Sequence, residues 1–174
     1  GQWYRTQPLG CAAKALTRDA FAPYGDVIEI SEANEQFPIN YGRTQRHHAL
    51  ATVQLQGVDD TAIISIFCSQ PVSLPFHAEV MERHPKGSQA LMPLGSSPYL
   101  VAVAPPGEFD PCAVELFLAR PDQGVNYHQG TWHHFSLALD TSSDFLVVDR
   151  QGAGENCDEV ELSPALEFSL KDPA

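Results

Sequence analysis

The spacing of apolar residues constrains this chain more than any other feature. They occur in short runs bounded by Gly, Pro, Asp or Ser, recurring about every 8–12 residues. Residues 26–30, 50–55, 62–68, 76–81, 88–93, 99–104, 114–119, 125–128, 134–139 and 145–149 all read this way. Runs this short do not complete the three or four turns of an ordinary helix, but they suit strands joined by tight turns. About ten such strands predict a closed barrel or a sandwich, because an open sheet of that length exposes edges. One short helix is expected near the start, with Thr17 as its N-cap and Pro23-Tyr24-Gly25 closing it. Residues 31–46 read as a polar loop. Residues 162–170 read as a last strand or as an arm reaching a partner subunit.

The remaining composition excludes more than it identifies. At 174 residues the chain is long enough for one domain with a sizeable core. The 14 prolines and 12 glycines favour turns over long helices. A net charge of −12 with only ten scattered Lys and Arg argues against a nucleic-acid surface. Any anionic ligand must therefore be held by a few well-placed cations. No run of about 18 apolar residues suggests a membrane span, and residues 1–10 lack the basic-then-apolar order of a signal peptide. Cys11, Cys68, Cys112 and Cys157 show no C-x-x-C or other zinc-like spacing. They read as scattered reduced thiols of a cytoplasmic protein. Without an internal repeat or linker, the expected organisation is a short extension or cloning remnant over 1–15 and a single barrel over 16–174.

Chemistry concentrates in two segments. Glu82-Arg83-His84-Pro85-Lys86-Gly87-Ser88-Gln89 and Tyr127-His128-Gln129-Gly130-Thr131-Trp132-His133-His134 both sit between predicted strands. Glu82 and His84 are two apart, so on a strand they share a face. On an inward face they form a carboxylate–imidazole pair in a low-dielectric cavity; on an outward face they are a structural ion pair. Arg83 points the other way. His133 and His134 are neighbours and must face oppositely; His133 is expected inward, and His134 outside as a cap or ion-pair partner. Gln89 reads as an orienting amide, a metal ligand or an ordinary hairpin residue. Trp132 reads as core or cavity wall, Tyr127 as packing or a hydroxyl donor, and His128 is intermediate between site and surface. A substrate carboxylate calls for a guanidinium fork. Arg46, beside His47 and His48 in a loop that could cover the barrel, and Arg150, at the barrel rim, are the candidates. Lys86 reads as solvated.

These segments, together with Phe21-Ala22-Pro23-Tyr24-Gly25-Asp26-Val27-Ile28, Gly124-Val125-Asn126-Tyr127-His128 and Asp144-Phe145-Leu146-Val147-Val148-Asp149-Arg150, closely resemble the bacterial ureidoglycolate lyase family. The resemblance runs in order from about Leu16 to Cys157. It implies membership of the wider cupin group, hence an all-β, jelly-roll type barrel. On the cupin pattern H-x-H…E, Glu82 stands at the first His, His84 at the second, Gln89 at the Glu and His133 at the second-motif His. The implied metal set is therefore Glu82, His84, Gln89 and His133, and the implied metal is nickel. The same residues also suit metal-free acid–base work, so a cofactor is left open. The implied reaction is cleavage of ureidoglycolate to glyoxylate and urea in allantoin breakdown. Glu82, His84 and His133 would be catalytic; Gln89, Arg46, Arg150, Tyr127, His128 and Trp132 would line the substrate. A homodimer is expected, since such barrels often pair through edge strands and arms. A metal-dependent cupin enzyme of another reaction type and a non-catalytic small-molecule-binding cupin are the rival readings.

Overall fold

Residues 9–171 are described, from a computed structural model. The larger sheet runs, in spatial order, β1 (Gly10–Ala12), β15 (Asp158–Ser169), β7 (Phe76–Arg83), β12 (Trp132–His133), β9 (Tyr99–Ala104), β10 (Glu115–Ala119) and β2 (Lys14–Ala15), with β13 (Leu137–Ala138) also on β9. The second sheet runs β3 (Gly25–Ile28), β11 (Gly124–Tyr127), β8 (Gln89–Pro93), β14 (Ser143–Gln151) and β6 (Thr61–Ser69). A separate hairpin pairs β4 (Gln36–Ile39) with β5 (Thr44–His47). The only α-helix among the described residues, α1 (Arg18–Phe21), starts at Thr17, whose Oγ1 accepts from the Ala20 N–H at 3.2 Å. The architecture is an all-β barrel, one of the two forms the spacing predicts, and it is cupin-like as the family resemblance implies.

Two apolar cores flank the larger sheet. All six residues of β9 are buried, which is why this run shows no alternation. Tyr99, Val101 and Val103 join Phe117, Val125, Tyr127, Phe145 and Val147 between the two sheets. Leu100, Ala102 and Ala104 join Met81, Trp132, Leu137, Leu166 and Phe168 on the opposite face. This second core exists because the larger sheet bends back on itself. Residues 10–12 pair in parallel with β15, and residues 14–15 pair in parallel with β10. One segment thereby joins both edges of the sheet.

Several local expectations need correction. Residues 10–15, assigned above to an extension, are those joining strands; two and three residues are too few to carry a pattern of their own. Residues 31–46 are not all loop. They hold β4 and most of β5, whose turn places Asn40, Tyr41 and Gly42 at positive φ. This hairpin is mostly exposed, so no alternation marks it. Residues 50–55 are not a strand: they make one isolated bridge, Leu55 to Gly87, and are tied to the second sheet by backbone and side-chain hydrogen bonds. Asn126 Nδ2 donates to the Thr52 carbonyl, and Ser88 Oγ accepts from the Gln54 N–H at 2.7 Å. A Cβ at Gly87 would lie 2.9 Å from the Gln54 carbonyl, so glycine lets this segment cross closely. Of residues 134–139 only Leu137 and Ala138 are strand, as β13, and residues 134–136 link them to β12. Residues 162–170 follow the last-strand alternative: most of them belong to β15, paired along β7 with a register shift between Glu161 and Leu166. Cys68, Cys112 and Cys157 are free thiols on exposed positions.

Candidate active site

Strand register assembles the polar site. In the larger sheet, His133 lies opposite Val103 on one side and Glu82 on the other, and Glu82 lies opposite Glu159. Directly opposed residues share a face, and Val103 points into the core between the sheets. His133, Glu82 and Glu159 therefore face the second sheet. There, Tyr127 lies opposite Gln89, and Gln89 opposite Asp149. The two rows meet where the Tyr127 ring stacks on the His133 ring, centroids 4.2 Å apart and planes within 5°.

Glu82 and His84 share a face, as their spacing predicts, with Glu82 Oε1 4.0 Å from His84 Nε2. The His84 and His133 rings are 5.0 Å apart. His84 Nδ1 lies 2.7 Å from the Asn156 carbonyl oxygen. A carbonyl only accepts, so Nδ1 carries the proton and Nε2 presents its lone pair to the cluster. The Cys157 thiol donates to Glu82 Oε2 at 3.6 Å.

Burial dominates the electrostatics here. His133 is 1% exposed. Burial, reinforced by the neighbouring His84, lowers its pKa from 6.5 to about 3, so its ring is neutral at physiological pH. Burial first, then the Glu82 carboxylate, raises the Tyr127 hydroxyl well above its usual range, and it stays protonated. The same two causes raise the Cys157 thiol to about 11. His84 Nε2, both His133 nitrogens and the Tyr127 hydroxyl are buried with no hydrogen-bond partner. Buried polar atoms without partners are costly unless something fills the space between them. Four of them around one carboxylate describe a site shaped for a polar ligand.

That donor set also fits a divalent cation. One ligand atom each from Glu82, His84 and His133 lie within 4.8 Å of one another. Two imidazoles and a carboxylate suit first-row metals such as nickel, and the Nδ1 hydrogen bond of His84 fixes the tautomer a ligand needs. Gln89 donates through Nε2 to Asp149 Oδ2 at 3.1 Å, leaving its amide oxygen for a ligand.

Other sequence candidates lie elsewhere. Trp132 faces the second core, its indole N–H donating to the Gly107 carbonyl at 2.8 Å and Arg83 lying 4.6 Å over the ring. It is one residue from His133 and so takes the opposite face. His134 is not an outer cap. It is buried against Phe76 and Phe168, with burial lowering its pKa. Its side chain takes the face opposite His133, where Phe168 belongs to the second core. His128 pairs with Asp26 at 3.1 Å, beside a pocket of about 170 Å³ that also includes Arg18 and Asn34. Arg150 gives its fork to Asp60: Nε to Oδ2 at 2.5 Å and Nη2 to Oδ1 at 3.0 Å, both side chains buried. The Arg150 hydrogen bond is the leading reason the Asp60 carboxyl is held below its usual pKa. Arg46 stands exposed on β5. Lys86 is part-buried, with Nζ 3.5 Å from the Ala153 carbonyl. No local pattern marks Asn156, Cys157, Glu159 or Asp149 as site residues, because strand pairing brings Asp149 and Glu159 to the site and carries Asn156 and Cys157 in just ahead of β15.

Fold and site define a class: a cupin-like β-barrel with a buried His–His–carboxylate cluster between its sheets. Comparison with known proteins narrows it. The sequence model of the ureidoglycolate lyase family matches residues 10–169. Ureidoglycolate lyases of Pseudomonas paraeruginosa and Burkholderia cepacia are each 52% identical to this chain. The first aligns over 145 residues, 83% of this chain and 85% of the relative; the second aligns over 156, 88% of each. That of Azotobacter vinelandii is 51% identical over 83% of this chain and 87% of its own. The chain belongs to the ureidoglycolate lyase family.

Proposed function

We propose that this protein is a carbon–nitrogen lyase that cleaves ureidoglycolate to glyoxylate and urea, in allantoin breakdown, by acid–base chemistry at Glu82, His84 and His133. The observation that carries this is the cluster of unpartnered buried nitrogens, His84 Nε2 and both of His133, beside the Glu82 carboxylate. Ureidoglycolate has a hydroxyl, a carboxylate and a ureido group on one carbon. Glu82 Oε1 takes the hydroxyl proton. The C=O bond forms as the C–N bond breaks, and the electron pair leaves on nitrogen. His84 Nε2, 4.0 Å from Glu82 Oε1, passes the proton to that nitrogen. The enzyme returns to its starting protonation state. Neutral His133 accepts a hydrogen bond from substrate, and the Tyr127 hydroxyl donates one. Gln89 and Asp149, already paired, meet the amide and amino groups of the urea. Arg46, whose guanidinium is exposed, is the arginine available for the substrate carboxylate, since Asp60 occupies Arg150.

Glu82, His84 and His133, with the Gln89 oxygen, would hold a nickel or similar divalent ion, which supplies Lewis acidity at substrate oxygens. A homodimer is supported by β6, a nine-residue edge strand exposing Ile64, Ile66 and Phe67. Free thiols suit a cytoplasmic location; no helix among the described residues is long and apolar enough to cross a membrane.

The test is incubation of chelator-treated protein with racemic ureidoglycolate, with and without added nickel, while glyoxylate, urea and ammonia are followed. Equimolar glyoxylate and urea without metal is the expected result. Turnover only with nickel would make the cluster a ligand set. Ammonia in place of urea, or no product under either condition, would overturn the reading.

A further inference from the structure

The start of β15 meets the Glu82–Lys86 segment almost residue by residue. Asp158 lies opposite Arg83 in register, and Arg83 Nε donates to its Oδ2 at 2.9 Å. On the other face of the same pairing, Cys157 reaches Glu82 Oε2. Asn156 brackets the turn twice: its backbone carbonyl accepts from His84 Nδ1, and its side-chain Oδ1 accepts from the Lys86 N–H, each at 2.7 Å.

We propose that Asn156 and Cys157 are positioning residues that set the proton pattern of the site, Asn156 by fixing the His84 tautomer and ring, Cys157 by fixing the Glu82 carboxylate. With Nδ1–H committed to the Asn156 carbonyl, Nε2 is the only basic nitrogen His84 can offer. With the thiol on Oε2, Oε1 is the carboxylate oxygen left to face Nε2 and substrate. A carboxylate free to rotate would offer either oxygen, and a ring without the carbonyl could flip or change tautomer; both lose the alignment that proton transfer needs. The Asn156 side chain matters because its bond to the Lys86 N–H holds the turn that carries His84 against its own carbonyl.

This inference rests on the lyase reading, and the experiment separates the two. Wild type, N156A, N156D, C157A and C157S are assayed with ureidoglycolate, and the His84 ring is observed by nitrogen NMR of histidine-labelled protein. Loss of a group that orients an active-site residue typically costs 10–100-fold, so N156A and C157A should lose about 10-fold or more in kcat with KM changed less than about threefold. N156D, which keeps the acceptor, and C157S, which keeps a donor, should recover most of it. The wild-type spectrum should show a single Nδ1–H tautomer for His84, and N156A a mixture. Should N156A fail to fold, the C157A and C157S pair decides. Wild-type kcat in folded C157A, an equal loss in C157S, or the Nε2–H tautomer in wild type would overturn the proposal. An inactive wild type with the Nδ1–H tautomer present would instead strike the lyase reading and leave the positioning geometry standing.

Discussion

His133 and His134 are adjacent, both are buried and both have pKa values lowered by burial, yet they serve opposite faces of the larger sheet. His134 sits between the Phe76 and Phe168 rings, and its Nδ1 is 3.0 Å from the Phe135 carbonyl. It is a packing residue with a local hydrogen bond. His133 stacks on Tyr127 next to Glu82 and His84 and has no partner for either nitrogen. Burial and a shifted pKa therefore do not mark a functional histidine. Polar capacity left unspent beside other polar groups does.

The comparison breaks most visibly by truncation. His133→Ala should lower kcat/KM by about 100-fold or more, the scale of a lost acid–base or aligning group, with a modest change in melting temperature. His134→Ala should leave turnover within a few-fold of wild type but cost about 2–4 kcal/mol in stability, as a cavity in an aromatic core does. Steady-state kinetics with denaturant melts of both variants check this, and equal activity losses would dissolve the distinction.

Both histidines share one pH behaviour. Each binds its proton more weakly in the folded protein than in the unfolded chain, where the pKa is near 6.5. Protonation therefore favours unfolding. Stability should be flat with respect to these groups above about pH 6.5 and should fall as the pH drops below it, by up to about 1.4 kcal/mol per pH unit for each histidine, the His133 contribution continuing down to about pH 3. Melts from pH 7.5 to 5 should steepen in wild type and flatten in His134→Phe. A melting temperature that rises on acidification would contradict the buried neutral state.

Arginines give a smaller contrast of the same kind. Arg46→Ala should raise KM about tenfold, the worth of a charge-assisted hydrogen bond, and leave the melting temperature unchanged. Arg150→Ala should lower the melting temperature through the stranded Asp60 while KM stays near wild type. The smallest effect expected is that of Tyr127→Phe, which keeps the stacked ring and loses one hydroxyl. A fall in kcat of about two- to tenfold matches one neutral hydrogen bond.

How much of this was legible in sequence depends on the range of each cause. Period-two spacing put Glu82 and His84 together, and adjacency separated His133 from His134, because both are properties of a single strand. The strands over residues 76–81, 99–104 and 114–119 were visible because each buries at least one face, whereas 62–68 was visible only as an apolar run, since no residue of β6 is fully buried. The hairpin of β4 and β5 was hidden because its residues are mostly exposed, and β1 and β2 because they are only two and three residues long. Trp132 was left between core and cavity wall, since choosing its face required knowing that the larger sheet has a second core. Arg150 could not be judged without Asp60, which is 90 positions away. Asn156 and Cys157 act through antiparallel register, which no local pattern encodes.

The central claim is that the charge of Glu82, held between His84 and Cys157, does the proton transfer. The most direct measurement is kcat/KM for Glu82→Gln alongside its melting curve, because glutamine keeps the shape and removes the basic oxygen. The account predicts a loss of about 100-fold or more with a native-like melt. Near-wild-type turnover in a folded Glu82→Gln protein would contradict it.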